Sequence, residues 1–191
     1  MLNIFKNLSK STMEVTMRKE GYTLPEVEFV FRENGEFVYK TTKELFGDKR
    51  VVVFALPGAF TPTCSNLMLP GFEEMYDEFT ALGIDEIYCI SVNDGFVMNA
   101  WAKDQGIEKV KLIPDGNAYF TRGMGQLVSK SNLGFGERSW RYAAVVTDGV
   151  IEKLFEEQGK SDNAGDDPYY ETTPEAVLNY VSSAVKVGAT V

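Results

Sequence analysis

At 191 residues the chain is long enough for one folded unit that buries about 70 % of the surface it would expose unfolded, without disulfide staples. Its 44 % hydrophobic content and two cysteines exclude a disulfide-rich secreted scaffold and favour a reducing compartment, here the cytoplasm. A net charge of −9, from 28 acids against 19 bases, argues against a phosphate-backbone partner, so no nucleic acid is expected. No apolar run approaches the roughly 20 residues that span a bilayer, and residues 1–5 are too few for a signal-peptide core, so no membrane association is expected. Residues 1–20 read as a flexible N-terminal extension ahead of one domain over 21–191. Lys6, Lys10, Arg18 and Lys19 face one acid, Glu14, over residues 1–19. An organelle-targeting presequence stays open, but low arginine content favours a plain extension. Asn7-Leu8-Ser9 is a glycosylation sequon by spelling alone.

In chain order, the alternation over 27–31, the turn pair Asn34-Gly35 and the segment 36–39 predict a β-hairpin. Thr42 is placed to cap a short helix through Phe46. The run 51–56 is β-branched and apolar on both faces, which suits a strand inside a parallel or mixed sheet. Pro57-Gly58 ends it. Thr61 can then cap a helix with Pro62 at its first position and Cys64 in its first turn. Helical spacing of Leu67, Phe72, Met75, Tyr76 and Phe79 carries this helix to Gly83, and Pro70 within it predicts a kink. A buried strand follows over 86–92, then a helix capped by Asn93-Asp94 with Val97, Met98 and Trp101 on one face. Residues 110–113 read as a strand, 117–121 as a short helix, and 140–146 as a strand with Arg141 near its start. Asp148-Gly149 turns the chain into a strand over 150–156. Residues 159–167 read as a polar surface loop, and Thr173-Pro174 starts a last helix with Ala176, Val177, Tyr180 and Val181 inward. The pattern is α/β with a mixed central sheet flanked by helices.

The chemistry points to Cys64. Unpaired N–H groups and the positive helix end favour a thiolate in a first helical turn. The chain has no histidine, which excludes a Cys-His dyad and the usual histidine zinc sets. No Cys-x-x-Cys occurs, which disfavours a dithiol oxidoreductase. Metal-free, cofactor-free thiol chemistry is the expectation. Cys89, inside an apolar strand, reads as a buried core residue and not as a disulfide partner. Arg141, read from its residues alone, is as well explained by a surface ion pair. Gly134-Phe135-Gly136 reads as a turn, since no P-loop lysine or helix follows.

Pro57, Thr61 and Cys64 spell Pro-x-x-x-Thr-x-x-Cys. Further blocks are Pro-Gly-Ala-Phe-Thr-Pro-Thr-Cys-Ser (57–65), Ser-Val-Asn-Asp-Gly-Phe-Val-Met-Asn-Ala-Trp (91–101), Pro-Asp-Gly-Asn (114–117) and Gly-Phe-Gly-Glu-Arg-Ser-Trp-Arg-Tyr (134–142). With these in this order, residues 21–181 resemble the peroxiredoxins, in particular the atypical type II (five-type) subfamily and the peroxiredoxin domain of bacterial peroxiredoxin-glutaredoxin hybrids. The resemblance implies a thioredoxin fold with peroxiredoxin elaborations. It implies a peroxidase for hydrogen peroxide and alkyl hydroperoxides in which Cys64 attacks, Thr61 holds the peroxide, Arg141 supplies fixed charge and Pro57 shields the site. With no cysteine in 157–191, it implies a one-cysteine cycle, its sulfenic acid reduced by glutathione and glutaredoxin or, second, by thioredoxin. A peroxide sensor or relay that passes oxidation to a partner protein is the alternative. Phe60, Phe96 and Phe135 fall where the family has its site border and two-fold interface, so a homodimer is expected, with core packing as the other reading. Relatives read Cys-Ser-x-x-His-Leu-Pro after the nucleophile. This chain has Met68 at the histidine's place.

Overall fold

A computed structural model describes residues 18–188. A hairpin of β1 (Glu28–Glu33) and β2 (Glu36–Thr41) leads into α1 (Thr42–Phe46) and β3 (Arg50–Ala55). Asn34 and Gly35 both have positive φ, 51° and 82°, as the tight hairpin turn demands. A wide π turn over Cys64–Met68 continues into α2 (Leu69–Glu74) and, after a break at Met75, α3 (Tyr76–Ala81). There follow β4 (Glu86–Ser91), α4 (Gly95–Asp104), β5 (Lys111–Pro114) and α5 (Tyr119–Gly123). The chain closes with β6 (Leu127–Ser129), a 3-10 turn at Ser131–Leu133, β7 (Glu137–Ser139), β8 (Tyr142–Thr147), β9 (Val150–Glu156) and α6 (Pro174–Gly188).

The main sheet has the order β5-β4-β3-β8-β9, with β3 parallel to β4 and antiparallel to β8. The expected mixed α/β sheet and thioredoxin-like layering are therefore present. β3 lies at the centre, so both of its faces are covered, which is why 51–55 carry no polar side chain. Its period-2 alternation sends Val52, Phe54 and Leu56 into a core with Cys64, Met68, Phe72, Cys89, Trp101 and Val177. Val51, Val53 and Ala55 enter a second core with Phe46, Tyr88, Phe120, Tyr142 and Ile151. Phe54 and Phe72 stack with centroids 4.2 Å apart, pinning the Cys64 segment to the sheet.

Several expectations are refined. The cap of α1 is Thr41, which makes a capping box with Glu44. Thr42 is instead buried, and its hydroxyl donates to Pro25 O at 2.7 Å while accepting from Val27 N. Pro70 does not kink an α-helix. Its missing N–H and its ring are accommodated by the π turn, in which Leu69 N–H reaches back to Cys64 O. The hairpin β6–β7 was not expected, its strands being three residues each. Asp94 caps α4 as expected, accepting from Phe96 N and Val97 N. Arg18 and Glu20, assigned to the extension, are tied to the fold through Gly123 O and Lys153. Lys19, also in the extension, is exposed, and its carbonyl accepts from Tyr22 N, while residues 1–17, Asn7 among them, lie outside the described residues. No helix among the described residues is long and apolar enough to cross a membrane.

Candidate active site

The site is assembled where β3 runs out. Pro57 and Gly58 end the strand, and Thr61 precedes a helical segment that begins at Pro62. Thr61 stands at the cap position through its main chain, its carbonyl accepting from Ser65 N at 2.9 Å. Its hydroxyl does not cap. It donates to Gly58 O at 2.7 Å, which leaves the oxygen's lone pairs free to receive a proton donor. Cys64 is fully buried, and Met68 follows one turn on, also buried.

Arg141, in the lead-in to β8, joins them across 77 residues of chain. Its Nη1 lies 3.7 Å from Cys64 Sγ and 3.3 Å from Met68 Sδ, its Nη2 donates to Asp167 at 2.6 Å, and its Nε donates to Pro168 O at 3.0 Å. The Tyr169 ring lies 5.6 Å from the guanidinium carbon. All three guanidinium nitrogens are thus committed in fixed directions. Arg141 is 1 % exposed, so the surface ion pair that its residues alone allowed is excluded as its whole role. Burial disfavours its charge, but the facing Cys64 sulfur and Asp167 outweigh this and hold the guanidinium above its ordinary value.

Sequence reasoning missed a second guanidinium. Arg138 Nη1 donates to Pro57 O and Asn93 Oδ1, and its Nε donates to Phe135 O. Burial pulls Arg138 below its ordinary value, against the opposing influence of Cys64. A Cβ at Gly58 would lie 2.5 Å from Arg138 Nη1, so a larger residue there would push the guanidinium out of this arrangement. Asn93 Oδ1 also accepts from Ala59 N and Ser91 Oγ, locking the loop after β3 to the end of β4.

The segment 167–172 was also missed as part of the site, Asp167 alone falling within the stretch read as a polar surface loop. It is held by Glu157, a buried carboxylate at the end of β9. One of its oxygens accepts from the N–H groups of Tyr170, Glu171 and Thr172 and from the Thr172 hydroxyl, all at 2.8–2.9 Å. Glu157 N–H bonds Arg141 O as well, so one residue registers both Arg141 and the segment that clamps it.

A cavity of about 250 Å³ opens beside this group, lined in part by Pro57, Thr61, Pro62, Phe135 and Asp167. Cys89 sits opposite Phe54 in β4, on the Cys64 side of the sheet, and is fully buried. Burial first, and the nearby Cys64 charge second, push its thiol well above the ordinary value. Phe60 and Phe96 are more than half exposed, which removes core packing as the reading for these two.

Chemically, the arrangement joins a buried sulfur, a fixed guanidinium that faces it, and a hydroxyl acceptor at one cavity wall. That is what heterolysis of an O–O bond by sulfur requires.

The Redoxin family model matches residues 19–173. Peroxiredoxin y4vD of Sinorhizobium fredii is 63 % identical over 139 residues, 73 % of this chain and 74 % of that protein. Hybrid peroxiredoxin hyPrx5 of Haemophilus influenzae is 48 % identical over 163 residues, 85 % of this chain and 66 % of the hybrid. The crystal structure of the Plasmodium falciparum antioxidant protein, a 1-Cys peroxiredoxin, is 41 % identical with a TM-score of 0.83, covering 87 % of this chain and 99 % of that one. A family match along most of the chain, relatives at these identities and a buried cysteine facing a guanidinium agree: the chain belongs to the Redoxin family, as a peroxiredoxin, a thiol-dependent peroxidase.

Proposed function

We propose that Cys64 is the peroxidatic nucleophile, in a one-cysteine cycle that an external thiol completes. The carrying observation is Arg141 Nη1 at 3.7 Å from the buried Cys64 sulfur. The thiolate attacks one peroxide oxygen, the O–O bond breaks, and the departing alkoxide or hydroxide is protonated from water, leaving a sulfenic acid. Arg141 stabilises charge as it moves from sulfur to the leaving oxygen. Thr61, its own proton committed to Gly58 O, accepts the peroxide's proton donor, and Pro57 keeps bulk water from one side. A first thiol then forms a mixed disulfide with loss of water, and a second releases Cys64. Glutathione with glutaredoxin is our first choice of reductant, supported by the likeness to hyPrx5, and thioredoxin is the second. Hydrogen peroxide and small alkyl hydroperoxides are the substrates. A cytoplasmic homodimer is the state we propose, exposed Phe60 and Phe96 supplying apolar surface.

The one-cysteine reading rests on Cys89, held within β4 and unable to meet Cys64 without local unfolding. Cys89→Ser is expected to keep most peroxidase activity. Peroxide without reductant is expected to give a dimedone-reactive sulfenic acid, and an intact-mass loss of two hydrogens would refute the reading. Peroxide consumption sustained by glutathione and glutaredoxin supports the assigned cycle. One rapid oxidation followed by stable disulfides with other proteins would replace it with a relay.

A further inference from the structure

The same cavity contains a charge that this chemistry leaves unused. Lys130, immediately after β6, is 2 % exposed and is the one buried lysine among the described residues. Lysines 40, 109, 111, 153 and 160, all more exposed, each have a carboxylate partner. Among the described residues Lys130 has no carboxylate partner, and its ammonium donates no hydrogen bond. Its neighbour is the Trp140 ring, 5.3 Å from Nζ to the centroid. The ring face is a weak partner for a cation, and the ammonium tip, which unlike the rest of the side chain is not fully buried, is free to meet an anion in the cavity. Lysines are almost never buried unless paired.

Its surroundings define what that anion is attached to. Lys130 lines the cavity together with Pro57, Thr61, Leu133, Phe135 and Asp166. Pro57 and Thr61 place the cavity at the approach to Cys64, and Leu133 and Phe135 give it apolar walls. The two acids of the lining do not neutralise the lysine. Asp167 is taken by Arg141 at 2.6 Å, and Asp166 is exposed, where water and salt screen it.

We propose that Lys130 binds a carboxylate on an organic molecule whose reacting atom reaches Cys64, its apolar stem lying along Leu133 and Phe135. This rests on Cys64 being the nucleophile. Two molecules in the cycle can bring a carboxylate: an organic hydroperoxide with an acidic tail, or the thiol that reduces the sulfenic acid. The ligand chemistry is the same for both.

Two matched pairs separate the sources. In the first, the rate of Cys64 oxidation is measured with tert-butyl hydroperoxide and with its analogue bearing a terminal carboxylate. In the second, preformed Cys64 sulfenic acid is reduced by 3-mercaptopropionate and by its methyl ester. Wild type is expected to favour the carboxylate member of one pair by roughly tenfold, the scale of one charge-assisted hydrogen bond. Lys130→Met is expected to erase that preference and Lys130→Arg to retain much of it. Each ratio is internal to one variant, so a general loss through misfolding cancels. A preference in the hydroperoxide pair assigns the carboxylate to the oxidant, and one in the thiol pair assigns it to the reductant. No preference in either pair, or one that survives Lys130→Met, overturns the proposal. Failure of the Cys64 reading looks different: hydrogen peroxide would then leave Cys64 unmodified in the wild-type protein.

Discussion

Cys64→Ser is expected to remove peroxidase activity altogether, by at least roughly a thousandfold, while leaving the melting temperature close to that of the parent. Serine fits the space of a fully buried cysteine, and its oxygen can accept the hydrogen bond that Arg141 Nη1 aims at the sulfur. The fold therefore loses little. The chemistry loses its nucleophile, because a serine oxygen is a far poorer nucleophile toward an O–O bond than a cysteine sulfur. Peroxide consumption under saturating reductant measures the first effect and thermal unfolding the second. Activity above about a tenth of the parent would mean that another group, Cys89 first among them, reduces peroxide.

The second large effect is expected at Arg141, where lysine should keep the charge and lose the rate. Arg141 directs three nitrogens to four groups: Asp167, Pro168 O, Cys64 Sγ and Met68 Sδ. An ammonium has a single nitrogen and no planar fork, so it cannot face the sulfur while holding the 167–168 segment. Arg141→Lys is thus expected to slow peroxide reduction more than it impairs thiol ionisation. Alkylation rate against pH follows ionisation. Peroxide oxidation at a pH where the thiol is fully ionised follows the remaining step. A deficit of at least roughly tenfold, about 1.4 kcal/mol, should persist there if Arg141 acts in the transition state. Full recovery at high pH would confine Arg141 to ionising the thiol.

The parts of this site legible in the sequence were those with a local cause. β3 could be read because a central strand must be apolar on both faces, and Cys64 because Pro62 marks a helix start. Asp94 and the Asn34-Gly35 turn announce themselves by backbone chemistry alone. Arg141 needed the family resemblance, since an arginine before a strand has no pattern to distinguish burial from exposure. Asp167, Glu157 and Arg138 had no local signal. They act through contacts with residues 26, 15 and 81 positions away, in polar stretches that spell an ordinary loop or strand end. Thr41 and Thr42 show a finer limit. Either threonine can cap α1, and only the tertiary demand of Pro25 O for the Thr42 hydroxyl decides between them.

The alternation along β3 also divides the molecule's freedom to change. Phe54 and Leu56 are floor to the sulfur, so resizing them moves Cys64 and Met68 as well as loosening the core. Val51, Val53 and Ala55 face the opposite layer, with the full thickness of the sheet between them and the sulfur. A lineage adapting to heat or cold, or a designer doing so deliberately, can therefore repack the side of Phe46, Phe120 and Ile151 and adjust the melting point while the peroxide chemistry stays where it was.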